Sequence, residues 1–183
     1  MKKTYVLDTN VLIQAPYAVE CFEENTVVLP MTVLEELDNM KKEEGEKGAN
    51  VRKVIRILDA HREKGNLLEG VRMEWGGILR VEKNYRNVEL PPDLPEHKSD
   101  NRILKVCVGL SNDLKEQVIL VTKDILLRIK AQLLGIQAED FGTEQVAVHE
   151  EQYLGRREVF VPEELFKEFK KKGVPVECVY CCD

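Results

Sequence analysis

The chain has 183 residues, 43% hydrophobic residues and a net charge of −6, which is typical of one globular domain with at most a small appendage. A chain of this length buries about 70% of its unfolded surface, so its core needs neither disulfides nor a structural metal. No apolar run approaches the roughly 20 residues of a membrane span and no signal-like segment opens the sequence, so we predict a cytoplasmic protein. The acidic balance argues against a generally basic nucleic-acid-binding coat, although local Lys and Arg patches could still hold phosphates.

Strand-like and helical patterns alternate along most of the chain. The apolar runs that predict strands are Thr4–Leu7, Thr26–Leu29, Val118–Thr122 and Ile136–Ala138, and a further strand-like stretch starts at Leu79. Helical periodicity covers Met31–Met40, Gly48–Arg62, Ser99–Leu110 and Ile125–Leu134. Strands that alternate with helices favour a mainly parallel sheet covered on both faces. After Leu79 the chain becomes a Pro-rich loop up to Asp100, just before a helix, where loops are often functional.

The character of the sequence changes after Phe141. We predict a domain over residues 1–142 and, over residues 143–183, an extension or connecting segment made of strand, helix and strand. Within it, Glu158–Gly173 is predicted to form a strand and then a helix. The last cysteines are Cys178, Cys181 and Cys182. They contain one C-x-x-C pair without a second pair at zinc-finger spacing, so free thiols are the simpler interpretation and a metal or redox site is the alternative.

Three acids lie at strand ends or helix starts, the positions where a parallel sheet binds its ligands. Asp8 and Asp124 each follow an apolar strand, and Asp100 lies in the first turn of a predicted helix, in line with its core stripe. For each acid the simpler explanation is a helix N-terminus, capped by the acid itself or by Asn10 or Ser99. A carboxylate that faces the core is costly to bury without a partner, which favours a functional role.

Two adjacent glutamates in the helix from Met31 receive different predictions. Thr32 and Glu35 fit a capping box, in which Glu35 reaches back to the Thr32 amide. At about 100° per residue, Glu35 lies nearly opposite the apolar face of this helix, whereas Glu36 lies at its edge. We therefore predict that Glu36 points into a cleft and that Glu35 points to solvent. The alternative for Glu36 is a solvated helix flank.

The predicted catalytic and metal-binding residues are Asp8, Glu36, Asp100 and Asp124. Two carboxylates about 5 Å apart repel by roughly 3 kcal/mol at an effective dielectric constant of 20, so four could not stay ionised in one cleft without a cation. Carboxylate oxygens without a Cys or His pair favour Mg²⁺ or Mn²⁺ over zinc. Such a metal could activate water and neutralise a developing phosphorane charge. Thr122, next to a strand end, offers a hydroxyl towards the same crevice, and Asp140 is a weaker candidate for an outer ligand.

Four segments together resemble a PIN domain, the metal-dependent ribonuclease fold. In order along residues 4–141 they are VLDTNVLI, LPMTVLEELD, SDNRIL and VTKDILLRIKA. The resemblance implies a three-layer α/β/α sandwich with a central, mainly parallel five-stranded sheet. It matches the four acids of the family to Asp8, Glu36, Asp100 and Asp124. It also matches Asn10 and Thr122 to small polar positions that support the site. It also implies Mg²⁺- or Mn²⁺-dependent endonuclease activity on RNA, which leaves 3′-hydroxyl and 5′-phosphate ends.

Three segments are most similar in sequence to PIN domains that precede a PhoH-like ATPase: LPMTVLEELDNMKK, VTKDILLRIKA and REVFVPEELFKEF. This similarity implies such an ATPase as a partner or attached domain. The expected substrate is single-stranded RNA, and the sequence allows a homodimer. The basic residues that could steer RNA to the cleft are Lys98, Arg102, Lys123 and Arg128, together with Lys105 and Lys130. For each one a solvated helix face is the simpler explanation.

Two other functions are compatible with parts of the pattern. Haloacid-dehalogenase-like phosphatases also place an Asp after the first strand, but their D-x-D motif needs a second acid where this chain has Asn10. A non-catalytic PIN module that binds RNA or protein and regulates a PhoH-like ATPase is the main alternative. Metal-dependent cleavage that Asp8→Asn abolishes would distinguish the nuclease from this module.

Overall fold

A computed structural model describes residues 2–142 of the chain. The strands are β1 (Lys3–Leu7), β2 (Thr26–Pro30), β3 (Val71–Arg72), β4 (Ile78–Glu82), β5 (Gln117–Val121) and β6 (Gln137–Glu139). The helices are α1 (Thr9–Gln14), α2 (Met31–Met40), α3 (Gly45–Lys64), α4 (Ser99–Asp113) and α5 (Ile125–Leu133), with a short 3-10 helix at Ala18–Glu20. Most predicted elements are therefore present, with ends that shift by a few residues.

The strands form one sheet in the order β3-β4-β2-β1-β5-β6. Strands β4, β2, β1, β5 and β6 pair in parallel, whereas β3 pairs with β4 in the antiparallel direction. The predicted α/β fold with a mainly parallel sheet is confirmed. The sheet has six strands rather than the five expected, because β3 contains two residues, too few to show any periodic pattern.

The helices cover both faces of the sheet. If every crossover is right-handed, as is general, α1, α2 and α3 lie on one face and α4 and α5 on the other. Helices α1, α2 and α3 contact one another and α4 contacts α5, while α2 also meets α4, where Arg102 donates to Glu35. From β1 the chain winds towards β4, then crosses to β5 and winds outwards to β6. The winding direction therefore changes between β1 and β5. In open α/β sheets, ligands bind at the carboxyl ends of the strands at such a point.

The central strands are buried on both sides. Val6, Leu7, Leu29, Ile119 and Leu120 have no exposed surface. Strands covered on both faces have continuous apolar sequences instead of alternating ones, which is why they could be recognised as short apolar runs. The same packing leaves the first residue after β1 and β5 at the floor of a crevice rather than in solvent.

The predicted capping box in α2 is wrong. Helix α2 follows β2 directly, begins at Met31 after Pro30, and has no hydrogen bond from a capping side chain. Thr32 therefore lies inside the first turn, where its hydroxyl donates to Asn84 Oδ1 at 3.2 Å. Ser99 is likewise not the cap of α4, because the helix begins at Ser99 itself. In both cases the helix starts earlier than the hydroxyl residue suggested.

The Pro-rich loop between β4 and α4 is fixed against α4. The ring of Tyr85 covers Gly109 so closely that an added Cβ there would lie 2.2 Å from the ring. Further along, Asn101 Nδ2 donates to Pro95 O at 2.8 Å, and Lys105 forms an ion pair with Glu96. The contacts of Asn101 and Lys105 hold the end of the loop against the first two turns of α4, where the predicted site acid Asp100 lies.

The predictions for residues 143–183 lie outside the described residues. These include the strand and helix of Glu158–Gly173 and the cysteines at positions 178, 181 and 182. Among the helices of residues 2–142, none has the length and apolar character needed to cross a membrane.

Candidate functional site

Asp8 lies at the floor of the crevice between β1 and β5. Its amide donates to Val121 O at 3.0 Å, which joins the ends of the two strands. Its carboxylate accepts two hydrogen bonds at 2.7 Å, one from Thr9 N to Oδ1 and one from Thr122 Oγ1 to Oδ2. Asp8 also occupies the N-cap position of α1, so the simple capping role is present. However, only 4% of its surface is exposed, which a capping residue does not require.

The electrostatic environment of Asp8 links it to two other acids. Burial raises the pKa of the Asp8 carboxyl above its ordinary value of 3.8, the hydrogen bonds from Thr122 and Thr9 lower this pKa, and the charges of Glu36 and Asp100 raise it. Burial also raises the pKa of the Cys107 thiol, and the negative charge of Asp8 raises this pKa further. Glu36 of α2 and Asp100 of α4 therefore both act on Asp8, which follows β1, and these three carboxylates are called here the acid cluster.

Glu36, rather than its neighbour Glu35, belongs to the acid cluster. Glu36 Oε2 accepts a hydrogen bond from Thr9 Oγ1, so it is tied to the residue that follows Asp8. Glu35 instead forms an ion pair with Arg102 at 3.2 Å, and 53% of its side chain is exposed. The edge position predicted for Glu36 from helical periodicity agrees with these contacts. Thr9 was not identified from the sequence, and its place directly after Asp8 was the available signal.

Asp100 lies in the first turn of α4 and forms an ion pair with a lysine. Lys130 Nζ of α5 lies 3.1 Å from Asp100 Oδ2, with 26% of the lysine side chain and 39% of the aspartate side chain exposed. Lys130 was a candidate for RNA contact in the sequence. In the structure its ammonium contacts one of the acids, and its contact with RNA stays a prediction.

Asp124 caps the N-terminus of α5, which is the simpler of the two roles considered for it. Its Oδ1 accepts from Leu126 N at 2.7 Å and from Leu127 N at 3.3 Å, whereas Oδ2 has no hydrogen-bond partner among residues 2–142. Its amide donates to Thr122 Oγ1 at 3.0 Å, which places it one hydroxyl away from Asp8. Within the described residues, no contact joins the Asp124 carboxylate to the other three acids.

The remaining candidates lie around this crevice or at its edge. Asn10 is exposed in α1. Asp140 forms an ion pair with Lys123 at 3.4 Å. Of the other basic candidates, Lys98 is exposed, and Arg128 has a buried Nε without a hydrogen-bond partner in the described part of the chain. The supporting role of Thr122 rests on direct contacts, whereas Asn10 and Asp140 make none with the acid cluster.

The donor atoms of the site fit a hard divalent cation. They are carboxylate oxygens, which Mg²⁺ and Mn²⁺ prefer. A bound cation would also lower the free-energy cost of burying the Asp8 carboxylate beside two other acids. Within residues 2–142, no three His, Cys, Asp or Glu side chains already form a group that could hold a metal ion. In the described arrangement, Thr9 engages Glu36 and Lys130 engages Asp100.

Comparison with known families and sequences gives a consistent match. The family model described as PIN domain matches residues 5–142. The curated protein named Protein PhoH2 from Bacillus subtilis (strain 168) is 46% identical over 179 residues, which is 94% of this chain and 40% of that protein. A Protein PhoH2 from Mycolicibacterium smegmatis is 39% identical over 149 residues, covering 80% of this chain and 34% of that protein. The chain thus spans less than half the length of these relatives.

Two solved structures are also similar. A domain of a functionally unknown protein from Methanocaldococcus jannaschii DSM 2661 has a TM-score of 0.45 and 24% identity, covering 76% of this chain and 91% of that one. A PilT N-terminus domain protein from Sulfolobus solfataricus P2 has a TM-score of 0.48 and 13% identity, covering 82% of this chain and 96% of that one. At these values the likenesses carry no argument about function.

Proposed function

This chain belongs to the PIN domain family, and we propose that it is a divalent-metal-dependent endoribonuclease that hydrolyses single-stranded RNA and leaves 3′-hydroxyl and 5′-phosphate ends. The observation that carries the proposal is the buried Asp8 carboxylate, whose pKa is raised by burial and by the neighbouring Glu36 and Asp100. Such a carboxylate opposes folding unless something neutralises it. Its place at the change of winding direction, where parallel sheets bind ligands, favours a bound cation as the neutralising group.

The acids have complementary roles in this proposal. Asp8, Glu36 and Asp100 would hold Mg²⁺ or Mn²⁺, together with Oδ2 of Asp124, the oxygen that the α5 cap leaves without a partner in residues 2–142. When bound, the ion would supply an activated water and would neutralise charge on the attacked phosphate. Thr122 orients Asp8 through its hydroxyl.

Basic side chains around the crevice would bind the RNA backbone. Lys98 is exposed at the start of α4, and the guanidinium of Arg128 has an Nε without a partner in the described residues. Arg102 and Lys123 would exchange their partly exposed acidic partners, Glu35 and Asp140, for phosphates. Phosphate contacts give affinity without base choice, so this arrangement favours little sequence preference by itself.

We also propose a PhoH-like ATPase as the functional partner, attached or separate. The support is that the matched relatives are named Protein PhoH2 and extend well beyond the matched region, since it covers 40% and 34% of their lengths. A domain that binds or cuts single-stranded RNA beside an ATPase would act on strands that the ATPase delivers.

The test is a cleavage assay with the full chain on end-labelled single-stranded RNA of mixed sequence, in Mg²⁺, Mn²⁺ or EDTA. We expect cleavage with either metal and none in EDTA, and products that a 5′-phosphate-dependent exonuclease degrades. Glu36→Gln should lower the rate by about 100-fold, because a metal site supplies several kcal/mol of transition-state stabilisation. Glu35→Gln is the matched control and should stay within about threefold, because a partly exposed ion pair contributes little.

Two results would contradict the nuclease. Metal-dependent binding of RNA without cleavage would favour the non-catalytic module instead. Equal loss of activity in Glu35→Gln and Glu36→Gln would show that the assignment of the acid cluster is wrong.

A further inference from the structure

Lys130 is the cation that contacts the acid cluster within residues 2–142. Its Nζ lies 3.1 Å from Asp100 Oδ2. Asp8 is held by a hydroxyl and an amide, and Glu36 is held by a hydroxyl. The other charged pairs near the crevice join Arg102 to Glu35 and Lys123 to Asp140, which lie outside the cluster.

We propose that Lys130 is the internal counter-ion of the acid cluster and competes with the divalent cation for Asp100. This inference rests on the proposed function, because it assumes that the cluster takes such a cation. It assigns to Lys130 a positioning role that lowers the metal affinity of the site below what the acids alone would give.

The competition follows from the geometry of Asp100. Both oxygens of the carboxylate share one carbon, so an ion bound to either oxygen lies close to an ammonium that is 3.1 Å from Oδ2. Two like charges at that range repel, and the ammonium must move before the ion binds fully. Lysine suits such an exchange, because its ammonium is a compact charge on a flexible four-carbon stem. The 26% exposure of the side chain leaves it a path to solvent.

Lys130 also offsets part of the negative charge of the cluster. The charges of Glu36 and Asp100 act on the buried Asp8, so an ammonium beside Asp100 weakens this repulsion. Lys130 comes from α5, whereas Asp100 comes from α4, so the ion pair also ties together two helices on the same face of the sheet.

The experiment measures Mn²⁺ binding to the full chain by titration calorimetry in about 0.15 M salt, where charges beyond about 8 Å are screened. Lys130→Met should bind Mn²⁺ about three- to fivefold more tightly than the wild type, the upper part of the range expected for a partly exposed charge pair. Lys130→Arg keeps the charge and should stay within about twofold. Lys64→Met is the matched control, because it removes the same charge from an ion pair with Glu74, neither of which the site uses, and it should also stay within about twofold.

A second readout does not depend on calorimetry or on cleavage. In EDTA, Lys130→Met should melt at a lower temperature than the wild type, because the cluster loses its counter-ion. Added Mn²⁺ should then raise the melting temperature more in Lys130→Met than in the wild type, as tighter binding to the folded state requires. Lys130→Gln, measured in parallel, guards against misfolding of a single variant.

The outcomes separate this inference from the nuclease proposal. If the wild type binds Mn²⁺ and cleaves RNA, but Lys130→Met and Lys130→Gln bind Mn²⁺ no more tightly, only the inference fails. An equal gain in Lys64→Met also overturns it, because the effect would then come from the net charge of the protein. If neither the wild type nor the Lys130 variants bind Mn²⁺ and no cleavage is seen, the proposed function fails together with it.

Discussion

Asp8 and Thr122 share a buried hydrogen bond, but replacing one or the other should affect the stability of the protein differently. Thr122→Val should lower it, whereas Asp8→Asn should leave it equal or raise it. Thr122 is fully buried, donates to Asp8 Oδ2 at 2.7 Å and accepts from Asp124 N at 3.0 Å. Thr122→Val keeps the shape but leaves a buried carboxylate without a donor, at a cost of about 1.5–3 kcal/mol, and an amide without its acceptor, at about 0.5–1.5 kcal/mol. We expect the free energy of unfolding to fall by about 2–4 kcal/mol.

The change Asp8→Asn removes the charge itself. It ends the cost of burying a carboxylate and the repulsion from Glu36 and Asp100, while the amide oxygen can still accept from Thr9 N. Because these contributions together raise the pKa of Asp8, its ionised form loses more through burial and repulsion than it gains from hydrogen bonds. In EDTA we therefore expect stability to stay unchanged or to rise by up to about 2 kcal/mol.

Thermal melts of the full chain in EDTA at neutral pH measure both effects. For a domain of roughly 140 residues, 1 kcal/mol corresponds to about 3 °C, so Thr122→Val should lower Tm by about 6–12 °C and Asp8→Asn should leave it equal or raise it by up to about 6 °C. Thr122→Ser keeps the hydroxyl and serves as the control. Mn²⁺ should stabilise the wild type more than Asp8→Asn. If Asp8→Asn melts about 6 °C or more below the wild type in EDTA, its carboxylate is a structural cap, and the reasoning is refuted.

Two further predictions follow from the described contacts. The pKa of Asp8 in the folded state lies above its ordinary value of 3.8, so folding favours the protonated carboxyl. This contribution to stability is fully present below pH 3.8 and is lost as the pH rises through the folded pKa. The unfolding free energy of the wild type minus that of Asp8→Asn, measured in denaturant with EDTA, should therefore decrease over this window, and an increase would contradict the burial argument. Gly109→Ala places a Cβ 2.2 Å from the Tyr85 ring and should lower the unfolding free energy by about 1–3 kcal/mol. The loss should shrink in a Tyr85→Ala background, and an equal loss there would show that the ring is not its cause.

The sequence alone was sufficient for much of the fold and for part of the site. Strands covered on both faces carry continuous apolar runs, so β1, β2 and β5 were recognised from local composition. Helical periodicity separated Glu36 from Glu35, because the angle between adjacent residues on a helix is a local property. The position of Asp8 after a buried strand was also local, and the structure places Asp8 at the carboxyl end of β1 as predicted.

Only the tertiary structure decided which side chains meet. The bonds of Thr9 to Glu36, of Lys130 to Asp100 and of Arg102 to Glu35 join residues that are 27, 30 and 67 positions apart. Such partners depend on strand order and on which helices share a layer, and neither is encoded in the period of a single element. The same reason explains the failed capping box, since β2 runs directly into α2 and Asn84 takes the Thr32 hydroxyl. Local sequence could place each acid at an element end, but only the packed layers determined which cation or hydroxyl would accompany it.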